Sequence, residues 1–172
     1  MQERIMRIIR LDKSVFKEIA NDPMATQQAA IVVVAAAILS GIGRAIAGRS
    51  FLGFVMGILV VMIGWVVWAL VTQIVGAALF QGKGTFLQLL RALGYAQAPT
   101  ALGLFAFIGC VGGVVSFVGS ILALIAGLLA LQQVMEFDIG KAIVTAIIGW
   151  IAAGIVGVIL GLIFAVPYLA FS

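Results

Sequence analysis

The chain has 172 residues, 65% of them hydrophobic and 9% charged, with a formal net charge of +4. Soluble domains carry roughly a quarter charged residues, so no soluble core of this length hides so much apolar surface, whereas a bilayer does. The sequence has no histidine, which removes the commonest general base and metal ligand. Cys110 stands alone in an apolar run, which excludes an internal disulfide and fits a small packing residue.

Residues 1–22 form an arm ahead of the apolar blocks. It is dense in charge and has no uninterrupted apolar core, so it does not read as a secretory leader, and the first helix is expected to stay in the mature protein. Ile5, Ile8 and Ile9 make one apolar patch, and Val15, Phe16 and Ile19 another. Arg4, Arg7, Arg10, Lys13 and Lys17 surround both. Glu3, Asp12, Glu18 and Asp22 leave the arm only slightly positive. It is therefore expected to lie on a membrane surface, with no nucleic-acid partner.

Residues 23–172 are expected to form an all-α transmembrane bundle of about five spans. A span needs roughly 20 apolar residues at 1.5 Å rise each. The first is read over 25–46, with Asp22 and Pro23 as start signals and Gly41, Gly43 and Arg44 at its far end. The second is read over 52–80. The Gln81-Gly-Lys-Gly84 string reads as a turn, since it lacks the spacing of a phosphate loop. Residues 85–93 then place Phe86, Leu89, Leu90 and Leu93 on one helical face, an interfacial amphipathic segment. The apolar block from Tyr95 to Met135 is about two spans long. With a break at Gly109, Gly112 and Gly113, it is read as 96–112 and 114–134. The last span is read over 142–169, with Pro167 near its end.

The basic residues set the orientation. A cytosolic N-terminus puts Arg4, Arg7, Arg10, Lys13, Lys17, Lys83, Arg91 and Lys141 inside and only Arg44 and Arg49 outside. An odd number of spans places the two termini on opposite faces.

The layout resembles the Yip1 family of five-span membrane proteins. Three stretches carry the likeness: the amphipathic arm with Asn21-Asp-Pro23, the segment from Phe86 through Gly94-Tyr95 to Pro99, and the polar hinge Asp138-Ile-Gly-Lys-Ala142. Eukaryotic members have a longer soluble region with an Asp-Leu-Tyr-Gly-Pro motif and are implicated in Rab GTPase binding and membrane traffic. Neither that region nor that motif is here, so the chain is similar to the short bacterial and archaeal branch. The resemblance implies a multi-pass protein of the cell (inner or plasma) membrane.

No acidic or basic residue falls near the centre of a span, where a pump or enzyme would place one. Glu136 and Asp138 are read as a solvated boundary rather than a metal or acid–base pair. No enzyme activity and no cofactor are expected. Thr72, Gln73 and Gln97 are the candidate polar groups within the membrane, as interhelical hydrogen bonds or, alternatively, as a solute path. The spacing of Gly53/Gly57, Gly109/Gly113 and Gly157/Gly161 marks small-residue packing faces. Gly149, Gly154, Gly157 and Gly161 make the last helix the expected surface for a membrane-protein partner or homo-oligomer. Trp65, Trp68 and Trp150 read as bulky packing residues. The sequence therefore points to a non-enzymatic protein acting through membrane partners or membrane organisation; a small-solute channel or transporter is the alternative.

Overall fold

The computed structural model describes the backbone over residues 1–46 and 51–170, and the side chains over 1–42, 54–55 and 57–162. The side chains of Gly43, Arg44, Arg49, Gly53 and Pro167 lie outside the described residues. Every regular element among the described residues is a helix: α1 (Gln2–Ile9), α2 (Ser14–Asn21), α3 (Ala25–Ile46), α4 (Phe51–Phe80), α5 (Phe86–Ala96), a 3-10 helix (Ala98–Phe107), α6 (Gly109–Met135) and α7 (Ile139–Ala170). Four of these, α3, α4, α6 and α7, are long and apolar enough to cross a membrane.

Local chemistry sets the boundaries. Asp22 Oδ1 accepts from the Met24 N–H at 2.9 Å ahead of α3. Thr85 caps α5 through a reciprocal pair with Gln88: the Gln88 N–H donates to Thr85 Oγ1 at 3.4 Å, and the Thr85 N–H donates to Gln88 Oε1 at 3.0 Å. Asp138 Oδ1 accepts from the Lys141 N–H at 3.0 Å at the head of α7.

The region read as a span over 96–112 takes a different form. Pro99 has no N–H to donate to the Tyr95 carbonyl, so α5 stops at Ala96 and the chain tightens into the 3-10 helix. The break before the next helix falls at Ile108 and Gly109, where Gly109 adopts φ +50°. Gly112 and Gly113 lie inside α6. Gly112 packs directly against the Phe105 carbonyl and leaves no room for a Cβ.

Close approaches give the path of this segment. A Cβ on Gly94 would lie 2.8 Å from Ala29 Cβ, and one on Gly103 would lie 2.7 Å from Ser40 Cβ. Thus α5 and the 3-10 helix run along α3 in the same direction. Gly112 against Phe105, then Gly119 against Pro99 and Leu102, bring α6 back antiparallel. Gly149 meets Trp68 and Thr72, and Gly157 approaches Val60, so α7 runs antiparallel to α4.

The core lies toward the end of the bundle that carries the arm. Ile8, Val15, Phe16 and Ile19 are fully buried, with α2 packed on α5 and α6. Leu89, Leu93 and Tyr95 of α5 are fully buried in the same cluster. The amphipathic arm and α5 therefore turn their apolar faces onto the protein. Met6 and Ile9 remain exposed on α1.

Candidate functional site

Two polar regions stand out, one at each level of the bundle. The first ties the arm to the spans. Arg4 Nη1 donates to Asp22 Oδ2 at 2.7 Å and to Gln28 Oε1 at 3.4 Å, and its Nε donates to Glu18 Oε1 at 3.1 Å. The Tyr95 hydroxyl donates to the same Gln28 oxygen at 2.5 Å. Arg7 donates to Asp12, Glu18 and Ser14 at 2.8–2.9 Å. Arg91 bonds Thr26 Oγ1 at 2.7 Å and the Ala20 carbonyl at 2.8 Å. Gln88 Nε2 donates to Asn21 Oδ1 at 3.1 Å. Across the face, Lys83 pairs with Glu136 at 2.8 Å and Lys17 lies 3.8 Å from it.

These contacts shift the titrations in the expected directions. Hydrogen bonds from Ser14 and Arg7 hold Asp12 at about 2. The Arg7 guanidinium lowers Glu18, with help from Arg4, and Arg4 lowers Asp22. Lys83 lowers Glu136 and is itself raised by it. Arg4 is raised, chiefly by Asp22. The pairs are mostly open to solvent, so they orient the arm more than they hold it. The buried apolar face supplies the adhesion. The basic residues of the arm thus share one end of the bundle with Lys83, Arg91 and the Glu136 turn.

The Gly94-Tyr95…Pro99 stretch is the joint between the two regions. Gly94 lets α5 touch both α3 and α4, since a Cβ would also meet Trp65 Cζ2 at 2.9 Å. Tyr95 anchors α5 to Gln28, and Pro99 starts the 3-10 turn. Trp65 secures the same joint by donating from Nε1 to the Leu90 carbonyl at 3.0 Å.

The second region is a cavity of about 340 Å3 between α3, α4, the 3-10 helix and α6, with Ser40, Gln97, Thr100, Gly103, Ser116 and Ser120 among its lining residues. Of the three sequence-predicted polar groups only Gln97 lines it. Thr72 is fully buried and donates to the Trp68 carbonyl of its own helix. Gln73 is half-buried on α4. Trp68 Nε1 and Thr145 Oγ1 are buried without a hydrogen-bond partner among the described residues. Ser40 was not singled out from sequence, because an isolated serine in a small-residue helix reads as packing. Gln28 was missed for a related reason: it sits in the first turns of a span and gives no sign of facing the arm.

The α7 glycines divide. Gly149 is a contact with α4, and Gly157 has only Val60 Cγ1 nearby, at 3.9 Å. Gly154 and Gly161 have nothing within 4 Å of a built Cβ. Trp68 and Trp150 lie 6.3 Å apart between ring centroids, with Trp68 buried and Trp150 half-exposed.

No curated protein and no solved structure matches this chain. The sequence model of the Yip1 domain matches residues 6–165, a stretch that takes in most of the docked arm, the Gly94-Tyr95…Pro99 joint, the cavity and most of α7. This all-helical, multi-pass membrane protein therefore belongs to the Yip1 domain family.

Proposed function

We propose that the protein works without catalysis, by contact with membrane-protein partners or with copies of itself, and so organises the membrane around it. One observation carries this reading. Helix α7 has only 17% of its membrane window buried inside the chain, against 44% for α3, and Gly154 and Gly161 lie open on it two turns apart. In lipid, small residues allow the close backbone approach by which helices associate.

The same reading places the chain in a cell membrane with five crossings and the arm in the cytosol. The segment made of α5 and the 3-10 helix spans about 36 Å at the rises of its two helix types, enough for a hydrocarbon core of about 30 Å. Gathering the described basic residues at the arm end supports a cytosolic arm.

Photo-crosslinkers at Val158 of α7 and, as a buried control, at Val33 of α3 test the contact role in native membranes. The reading expects a reproducible adduct from Val158 that Gly154→Ile with Gly161→Ile abolishes. A monomer with no adduct at Val158 overturns it. A second reading, passage of a small solute, has one observation in its favour, the polar cavity at Gln97. Flux into liposomes across ions and neutral solutes decides that reading, and absence of flux removes it.

A further inference from the structure

The cavity has a chemistry of its own. The Thr100 hydroxyl donates to the Gln97 carbonyl at 2.7 Å, Ser116 to Gly112 at 2.7 Å, and Ser120 to Ser116 at 3.0 Å. Each proton is thereby committed to the backbone of its own helix, and each hydroxyl oxygen keeps lone pairs that accept. The Gln97 side-chain amide has no hydrogen-bond partner among the described residues and adds one acceptor and two donors. The wall is therefore richer in acceptors than in donors.

Position narrows the ligand further. Along α3 the cavity runs from Val33 to Ser40, about 12 to 22 Å from the start of that helix. That depth is hydrocarbon, not headgroup. Ser120 is exposed at the rim and shares its side of α6 with exposed Phe117 and Ile121. The mouth thus faces the flank of the bundle, where lipid lies.

None of the described lining residues carries a charge. An ion there would lack a counter-charge in a low-dielectric site. A bare hydrocarbon chain would leave the acceptors and the Gln97 amide unmatched. A volume of about 340 Å3 lies at the small end of the range for ligand sites. We propose that this cavity binds an uncharged, hydroxyl-bearing group of the glycerol type, whose O–H groups, at least two of them, donate to hydroxyl oxygens among Thr100, Ser116 and Ser120 while Gln97 orients it. The group is carried by a neutral lipid entering from the side or by a free polyol. This proposal does not rest on the partner-contact reading, because it concerns a different face of the chain.

The test is saturable binding of labelled 1-monooleoylglycerol to the full chain in nanodiscs, with methyl oleate as the chain-matched probe that lacks hydroxyls. The expected result is one monooleoylglycerol per chain and at least tenfold weaker binding of methyl oleate. Gln97→Leu with Thr100→Val should weaken monooleoylglycerol at least tenfold. Ser120→Leu, which narrows the mouth from an exposed position and so spares the packed core, should do the same. Competition by free glycerol assigns the site to a soluble polyol, and its failure to compete assigns the site to a lipid; both results support the proposal. Absence of saturable binding, equal binding of methyl oleate, or undiminished binding in folded Ser120→Leu overturns it.

Discussion

Replacing Phe16 with alanine should release the arm while leaving the spans folded. Phe16 is fully buried in α2, among Ile8, Val15 and Ile19, and the helix packs on α5 and α6. A buried aromatic ring removes about 150–250 Å2 from water, a gross gain of about 4–6 kcal/mol at about 25 cal/mol per Å2. Phe→Ala in protein cores costs about 3–5 kcal/mol. At 1.4 kcal/mol per factor of ten, the lower figure moves the docking equilibrium of the arm by about 100-fold. Hydrogen exchange in nanodiscs reads this directly. Amides of α1 and α2 should lose protection by about that factor, while those of α6 keep theirs. Ile9→Ala, on the exposed side of the arm, should change little. Unchanged protection of α2 in Phe16→Ala would refute the reasoning, since it would mean that something other than the bundle holds the arm.

Acid should loosen the same contact. Asp12, Glu18, Asp22 and Glu136 are all held below their ordinary values. Their contribution to docking is present above the ordinary carboxylate range near 4 and is lost as pH falls through the folded values, down to about 2 for Asp12. Protection of the arm, taken relative to the intrinsic exchange rate at each pH, should therefore be flat from neutral pH to about 5 and fall below about 4; loss of protection above about pH 5 would contradict the assignment. Gly94→Ala should lower the melting temperature, because a methyl 2.8 Å from Ala29 Cβ and 2.9 Å from Trp65 Cζ2 forces α5 off the bundle, at about 1–3 kcal/mol. Gly154→Ala, with open space around it, should leave monomer melting unchanged or slightly raised. Arg91→Met should loosen α5 from α2 and from the head of α3 by removing the bonds to the Ala20 carbonyl and to Thr26, seen as faster exchange in α2 and α5 but not in α7.

Much of this architecture is visible in the residues, and what is hidden is hidden for identifiable reasons. The long apolar runs and the low charge announce a membrane bundle, because no other solvent accepts them. The amphipathic period of residues 86–93 is equally plain, but an apolar stripe looks the same whether lipid or protein will cover it. Leu89 and Leu93 are covered by protein, and only the tertiary fold reveals that. Helix type in the block after Tyr95 is obscured because its residues are mostly apolar and show no period; the signal lies in single residues, the missing N–H of Pro99 and the positive φ of Gly109. The cavity was half legible. Gln97 stands out as an amide in an apolar run, whereas Thr72, chosen on the same ground, satisfies itself on its own helix. Ser40, Ser116 and Ser120 come together only because the 3-10 helix wedges between α3 and α6.

The crossing proposed for α5 and the 3-10 helix decides the account, and Cys110, the sole cysteine of the chain, reports on it from its exposed place at the head of α6. In intact cells a membrane-impermeant maleimide should label Cys110 from outside, whereas Cys110→Ser with Lys141→Cys should label only after the membrane is opened. Labelling of both positions from the same side would mean that the segment between α4 and α6 does not cross, and would contradict the five-pass arrangement.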